Sequence, residues 1–468
     1  MANEYTYDCK DNMLTETDAK GNITAYEYDF NNRMIRKTLP DNHVYTWGYD
    51  MLGRTAYSFD SAPFAFTMYK YDALNREIYR RTPFGKDRTV SKTYYDANSN
   101  IIKKLQQNNA DDRTSEDTFA ETLYDYDDMN NLIGVTSNDG SRNEAVQYWY
   151  DNANRVIAMQ TGRSSVAHNI AIPSSGAITR YEYDALGHLS KETDALGNSS
   201  EYNNDYAGNI ISGVDRNNNN FDYVYGPYGI VSSTFYKKES EEREYYTYDS
   251  LGRLKQKYLI GDDEIDYEVY TYDAFGRVTE QSGSDYKNCY TYDLNSNVAS
   301  YTLKQNDIVK NSENYEYDEV NNLTKQNING KIITYTYIEG LLFKKNADGI
   351  ETKISYNDAS LPTSYVTSKG DTTYASYTYT YRLDGNRIGE EDTVNNLTKS
   401  YSYDNIGRLT VENISGNMNL NTTYSYDRRG NRTSKTVTGD DSYTVSNTYD
   451  NNNRLTKQTK AVDGTQTE

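Results

Sequence analysis

The sequence is short of the residues from which most folds are built. Leu, Ile, Val and Phe together make up about 17% of its 468 residues, below the roughly 20% at which a strongly charged chain is expected to stay disordered. Its two cysteines, Cys9 and Cys289, lie too far apart to form a disulfide framework or a metal-ligand spacing. Six prolines leave most of the punctuation to Gly and Asn. The longest apolar runs are a few residues, where about 18 are needed to cross a bilayer, so no membrane span is expected. MANEYTYDCK at the N-terminus has no basic segment followed by an apolar stretch, and so no visible secretory signal. The 49 basic side chains are outnumbered by 69 acidic ones, for a net charge of -20. No Lys/Arg cluster is large enough to track phosphates, which argues against a nucleic-acid partner. The three histidines, His43, His168 and His188, have neither triad nor metal spacing. No phosphate-binding loop, dinucleotide fingerprint or nucleophile elbow appears. No cofactor and no enzymatic activity are expected.

Against these shortages stands one excess, 51 tyrosines, and it is periodic. Tyr-Asp recurs with Tyr at 7, 28, 49, 71, 95, 126, 150, 183, 248, 272, 292, 317, 403, 426 and 449. Degenerate copies at Asn204, Tyr225, Tyr337, Tyr356 and Tyr381 complete 20 units of about 23 residues. A second Tyr usually stands two residues before the anchor, which puts both rings on one face of a strand. Four residues after the anchor comes Gly in nine units (Gly229 among them) and Asn in six, the two residues most tolerant of the left-handed backbone region. With Asp opening the segment, this predicts a type I turn closed by a left-handed residue, followed by Arg or Asn and a second strand. The pattern is fullest in Tyr49-Asp50 with Gly53-Arg54, Tyr183-Asp184 with Gly187, and Tyr246-Thr247-Tyr248-Asp249 with Gly252-Arg253. It is equally clear in Tyr270-Thr271-Tyr272-Asp273 with Gly276-Arg277, Tyr401-Ser402-Tyr403-Asp404 with Gly407-Arg408, and Tyr424-Ser425-Tyr426-Asp427 with Gly430. At least 34 of the 51 tyrosines thereby occupy regular strand positions.

These spacings predict an all-β fold: tandem hairpins in one long, coiled antiparallel sheet, a single array over residues 1–468 with long insertions near 105–123 and 160–180. Laid flat at about 4.8 Å per strand, twenty hairpins make a ribbon about 190 Å wide. Such a ribbon is expected to curl, because twist and exposed edges work against a flat sheet. Rolled once, it would enclose a cylinder about 60 Å across, too wide for side chains to fill. The repeated Arg is expected to pair with a repeat Asp or lie over a Tyr ring. Fifteen copies make the Tyr-Asp pair a structural device, since a catalytic acid/base pair needs one special environment. Asp215, Asn217 and Asn219 are spaced like the start of a calcium loop, but Asn220 and Gly226 stand where Gly and Glu are required. The insertions are expected to be surface loops, or contacts to a plug, cargo or partner.

The unit Y-x-Y-D-x-x-G-[RN]-[LVI] resembles the YD repeat of Rhs proteins, Tc toxin C components, wall-associated Rhs-like proteins and teneurins. The resemblance covers essentially the whole chain. It implies a spiralling β-sheet shell that, in polymorphic toxins, encloses a C-terminal toxic domain, and in teneurins serves adhesion. Self-processing members carry Asp-Pro-x-Gly at the end of the shell. No proline here (Pro40, Pro63, Pro83, Pro173, Pro227, Pro362) follows an Asp, so the chain reads as a fragment of a larger protein without its autoprotease and toxin domains. The expected function is that of a shell segment, secreted or at the cell surface, with an enclosed toxin or other shell segments as partners. The alternative is a bacterial surface module that binds glycans or a receptor through rows of Tyr, Asn and Arg.

Overall fold

A computed structural model of the chain describes residues 3–62, 64–84, 87–108, 119–226, 230–236, 243–260, 265–462 and 465–467. Among the described residues there are 41 strands, from β1 (Glu4–Tyr7) to β41 (Thr465–Thr467), and no helix. Each strand pairs antiparallel with the next, in one continuous sheet. The all-β expectation therefore holds. No helix long and apolar enough to cross a membrane is present among the described residues.

Every Tyr-Asp unit is a hairpin with a bulge at the same place. In the unit joining β21 (Arg243–Tyr248) to β22 (Leu254–Ile260), Thr247 faces Gln256 while Tyr248 faces Leu254, so Lys255 is an extra residue. The same slip occurs at Tyr272, Tyr403 and Tyr426. A bulge bends its strand and increases the local twist. A bulge on this edge recurs in every such unit and curves the ribbon, while a few further slips lie elsewhere, as at Leu303/Lys304 and Thr367/Ser368. That edge carries the Tyr-Asp turns; the opposite edge carries the turns that link one hairpin to the next.

The curvature brings the two edges together. The linking turn after β2 (Met13–Thr17) meets the Tyr-Asp turn after β25 (Tyr286–Tyr292), where Lys20 Nζ lies 2.7 Å from Asp293 Oδ2. The turn after β12 (Leu132–Asn138) meets the one after β35 (Leu397–Tyr403), and the turn after β16 (Leu189–Thr193) meets the one after β39 (Tyr443–Tyr449). The offset is 23 strands each time (25 minus 2, 35 minus 12, 39 minus 16). The ribbon thus coils nearly twice, edge against edge. At about 4.8 Å per strand, one winding is about 110 Å around and about 35 Å across. The single, wider roll expected from total strand count is corrected: the bulges impose a tighter curvature, and the linking turns of one winding seat the Tyr-Asp turns of the next.

The wall is one sheet thick. Its accessible surface is 27124 Å², about one and a half times the roughly 18,000 Å² expected of a compact globule of the same mass. Along a strand such as β35, Tyr401 and Tyr403 are half-buried while Ser402 between them is exposed. Among the described residues, a compact apolar core forms only where the second insertion folds back on the sheet. There Trp149, Ala158 and Ile178 are buried, with Ile170 and Ile172 of the insertion packed on them. Trp149 Nε1 donates to Ile170 O at 2.9 Å, and Ala167 N to Gln147 Oε1 at 2.8 Å. The insertion near 160–180 is therefore a flap held against the sheet. Of the insertion near 105–123, residues 109–118 lie outside the described residues.

Candidate functional site

The repeated unit is built around the Asp carboxylate. Asp249 Oδ1 accepts the N–H groups of Leu251 (2.9 Å) and Arg253 (3.0 Å), and its Oδ2 accepts Arg253 Nε at 2.7 Å. Gly252 N donates to Asp249 O at 3.0 Å, closing the type I turn, and Gly252 has φ +78°. The Arg253 side chain, more than any opposing effect of burial, holds the Asp249 carboxyl below its ordinary range. Asp50, Asp273 and Asp404 make the same contacts with Arg54, Arg277 and Arg408. In other units Asn431 Nδ2 supplies the second donor to Asp427 (2.8 Å), and His188 Nδ1 that to Asp184 (3.2 Å). The predicted left-handed position holds positive φ at Gly53, Gly187, Gly276, Gly407 and Gly430, and also at Asp11, Ser99, Ser296 and Ser360 where neither Gly nor Asn is present. Gly229 lies outside the described residues.

The anchor Tyr reaches the other way. Tyr272 donates its hydroxyl to Leu254 O, in the preceding hairpin, at 2.6 Å. Tyr49, Tyr183, Tyr248, Tyr403 and Tyr426 donate to Met34, Val156, Val231, Arg387 and Leu409 carbonyls in the same way. At the degenerate anchor, Asn204 Nδ2 replaces the hydroxyl and donates to Leu189 O at 2.9 Å. The Arg of one repeat lies over the anchor ring of the next: Arg253 is 4.4 Å from the Tyr272 ring centre and Arg277 is 4.5 Å from that of Tyr292. Arg54 Nη1 also donates to Asp72 O at 3.0 Å. Tyrosine and aspartate of one pair therefore face different partners, the hydroxyl a neighbouring repeat and the carboxylate its own turn. The earlier Tyr of each unit serves the sheet face. Tyr270 and Tyr286 both donate to Glu268, at 2.6 and 2.7 Å, and burial, reinforced by Glu268, pushes Tyr270 up to about 12.

The calcium-like segment is another such turn. Asp215 Oδ1 accepts the N–H groups of Asn217 and Asn219 at 2.8 Å, Oδ2 accepts Asn219 Nδ2 at 3.0 Å, and Asn218 has φ 61°. Among the described residues no group of three or more His, Cys, Asp or Glu is placed to hold a metal. Cys9 is exposed and Cys289 half-buried, and neither is in a disulfide.

Sequence reasoning missed the seam between windings. Asn295 Nδ2 donates to Asp18 Oδ2 at 2.7 Å, and Asn452 Nδ2 to Asp194 Oδ2 at 2.7 Å. Asn405 N donates to Asp139 O at 3.1 Å. Arg408 reaches Asp139 Oδ2 (3.1 Å) and Glu144 Oε1 (2.9 Å) while holding Asp404, and Arg142 Nη2 donates to Tyr426 O at 2.6 Å. Burial works to raise the Asp139 carboxyl. The backbone N–H and hydroxyl of Ser141, the Arg142 N–H and the Arg142 charge outweigh it and hold the group at about 2. The sequence did carry one signal for the linking side of this seam: Asp18-Ala-Lys-Gly21-Asn22 and Asp194-Ala-Leu-Gly197-Asn198 repeat the Asp-x-x-Gly turn on the second edge.

Fold and site together define a coiled, single-layer wall of tandem Tyr-Asp hairpins clasped to one another along a seam. The RHS Repeat family matches residues 170–199. Among curated proteins, the chain is 27% identical over 194 residues to the tRNA3(Ser)-specific nuclease WapA of Bacillus spizizenii, and 28% identical over 182 residues to the tRNA nuclease WapA of Bacillus subtilis. These matches cover 40% and 35% of this chain and 8% of each relative. Among solved structures, the Tc holotoxin pore of Photorhabdus luminescens superposes with TM-score 0.59 at 14% identity, over 98% of this chain and 27% of that one. The TcdB2-TccC3 complex without its hypervariable C-terminal region gives TM-score 0.52 at 12% identity, over 96% of this chain and 34% of that one. The fold is thus shared with Tc toxin components. The repeats that build it are of the YD, or Rhs, type.

Proposed function

We propose that this chain is a segment of an Rhs-type shell that helps to enclose and deliver a toxin or effector domain of a larger, secreted or surface-located protein. The observation that carries the reading is the wall itself: one sheet thick, closed on itself along a bonded seam, with far more surface than a packed body of its mass. A pocket of about 570 Å³ lies along the seam, bordered by Ala19, Pro40, Leu294 and Val320. The role is mechanical rather than catalytic, since hydroxyls and carboxylates of the repeat are committed to its own bonds. Those same bonds leave the anchor hydroxyls of the Tyr rows turned to backbone carbonyls rather than offered to a sugar. Limited proteolysis of the full-length protein tests the reading. A downstream toxin domain should resist protease until the seam is opened by Arg408→Ala with Asn452→Ala; a domain digested equally fast with the wall intact would refute enclosure.

A further inference from the structure

The face of the sheet opposite the tyrosine rows is polar in many units, where residues such as Thr247, Thr271 and Ser402 stand between the repeat tyrosines. It changes character over β6 (Thr55–Asp60), β7 (Ala65–Tyr71), β8 (Glu77–Phe84) and β9 (Asp87–Tyr95). Three of the ten phenylalanines, Phe59, Phe64 and Phe66, fall within this short stretch. Cross-strand pairing puts Phe59 beside Phe66 and Tyr57 beside Met68 on that face, and Phe64 packs edge-on against Phe59 with 5.6 Å between ring centres. Tyr57 (41%), Phe64 (70%) and Phe66 (42%) are exposed, a cluster rather than scattered surface hydrophobes. Charge changes over the same strands. Residues 70–104 hold nine Lys or Arg against four Asp or Glu, a net of +5 in a chain of -20, so the remainder carries -25. Pairing of Met68 with Arg81, Lys70 with Tyr79, Tyr79 with Lys92 and Pro83 with Arg88 brings four of these cations onto the aromatic face. Among the described residues Lys70, Arg81 and Arg88 have no carboxylate partner, and Lys70 Nζ lies 5.1 Å from the Tyr79 ring centre.

We infer that this aromatic, basic face is a docking site for an extended acidic polypeptide segment in which apolar side chains alternate with carboxylates. Charge complementarity sets the sign of the partner. Three unpaired cations attract carboxylates locally even in an acidic wall, because salt at physiological strength confines the field of the other charges to about 8 Å. The rings set its form. Tyr57 lies over Gly48, in the space a Cβ would need, and stacks on Phe66 with 5.2 Å between ring centres. The rings thus make a flat floor, not the projecting apolar side that enters a bilayer. Floor positions recur at every second residue, about 7 Å along a strand, which is also the spacing of alternate side chains in an extended peptide. A long polyanion such as single-stranded nucleic acid carries its charge past the patch, where the remaining -25 of the chain repels it. A short segment does not reach so far. Its carboxylates take the guanidinium forks of Arg81 and Arg88, and its apolar side chains cover the exposed rings.

Fluorescence anisotropy of a short dye-labelled peptide alternating Glu and Leu, titrated with the purified chain, tests the site. That peptide should bind, and a Lys-Leu peptide of the same length should not. Arg88 is exposed and its side chain has no bond in the fold, so Arg88→Glu should leave thermal unfolding unchanged. It should weaken binding about tenfold or more, the worth of one charge-assisted contact. Lys310→Glu reverses an exposed lysine elsewhere on the wall and should change nothing, which separates the patch from net charge. Phe66→Ser should weaken binding as well, and a Glu-Ser peptide, tested on the unaltered chain, should bind worse than Glu-Leu. Absence of Glu-Leu binding would overturn the inference, and so would binding indifferent to Arg88→Glu. Equal binding of the Glu-Leu and Glu-Ser peptides would overturn it too, since the rings would then contribute nothing. If phosphatidylglycerol vesicles or a single-stranded oligonucleotide bind in an Arg88-dependent way while the peptide does not, the occupant is of that class and a polypeptide is excluded.

Discussion

A tyrosine in this wall supplies a ring for its neighbour's Arg and a hydroxyl for a backbone carbonyl of the preceding hairpin. That combination explains why Tyr rather than Phe or Leu is repeated. Tyr272→Phe keeps the ring under Arg253 and removes only the donor to Leu254 O, and a half-buried carbonyl without a partner costs about 1 kcal/mol. Hydrogen exchange in β22 and in β23 (Ile265–Tyr272) should report that loss locally, since repeat arrays lose stability next to the altered unit. Unchanged protection would show the bond to be of no consequence. The turn residue is a backbone requirement. An added Cβ at Gly252 would meet only Ile230 Cδ1 at an ordinary 3.5 Å, but φ is +78°. Gly252→Val should therefore destabilise its hairpin by about 1–3 kcal/mol while Gly252→Asn is nearly neutral, as Asn at the same position in other units implies. Equal effects of the two substitutions in chemical unfolding would place the cost in packing instead.

Hairpins are the level at which the sequence was most legible. Asp, Gly or Asn, and Arg at fixed offsets from Tyr placed every described turn of this kind, because each is a local demand of one Asx-type turn. Tyr337 departs from it with a tighter turn at Glu339 and Gly340, both left-handed. The insertion after β14 (Val156–Arg163) was not legible. Its anchor, Trp149, stands between two repeat tyrosines as any outward residue does, and its partners Ile170 and Ile172 are isolated apolars in a polar stretch. Only the fold-back shows that they meet. Trp149→Ala should empty that small core at a cost of about 3–5 kcal/mol and free the flap, so that trypsin cuts after Arg163 much faster than in wild type. Trp149→Phe should keep most of the packing but orphan Ile170 O, giving an intermediate rate. If both variants are cut no faster than wild type, the flap is held by something other than Trp149.

The coil as a whole joins residues about 260 to 280 positions apart, as Asp18 with Asn295 and Asp194 with Asn452. No local pattern states that distance, because it depends on how much each bulge bends the ribbon, summed over 23 strands. The charges at the seam make its hold on the coil a function of pH. Asp139 titrates at about 2 in the folded chain against 3.8 without its partners. A carboxylate with a lowered folded value contributes stability that is fully present above its unfolded value and lost as pH falls through the folded one. For Asp139 the window is from about pH 4 down to about pH 2, and the shift corresponds to about 2 kcal/mol. Over that interval the bonds from Arg408 and Arg142 weaken, and the turn after β12 should part from the turn after β35. Solution scattering recorded down an acid titration should show the coil expanding while the far-ultraviolet strand signal persists, since the ladders themselves need no carboxylate. Many repeat aspartates are lowered too, so the decisive measurement is Asp139→Asn at neutral pH. That substitution removes the charge facing Arg408 and should bring the onset of expansion to a higher pH than in wild type. If the variant expands at the same pH as wild type, Asp139 does not hold the seam, and its low value reflects only its own turn.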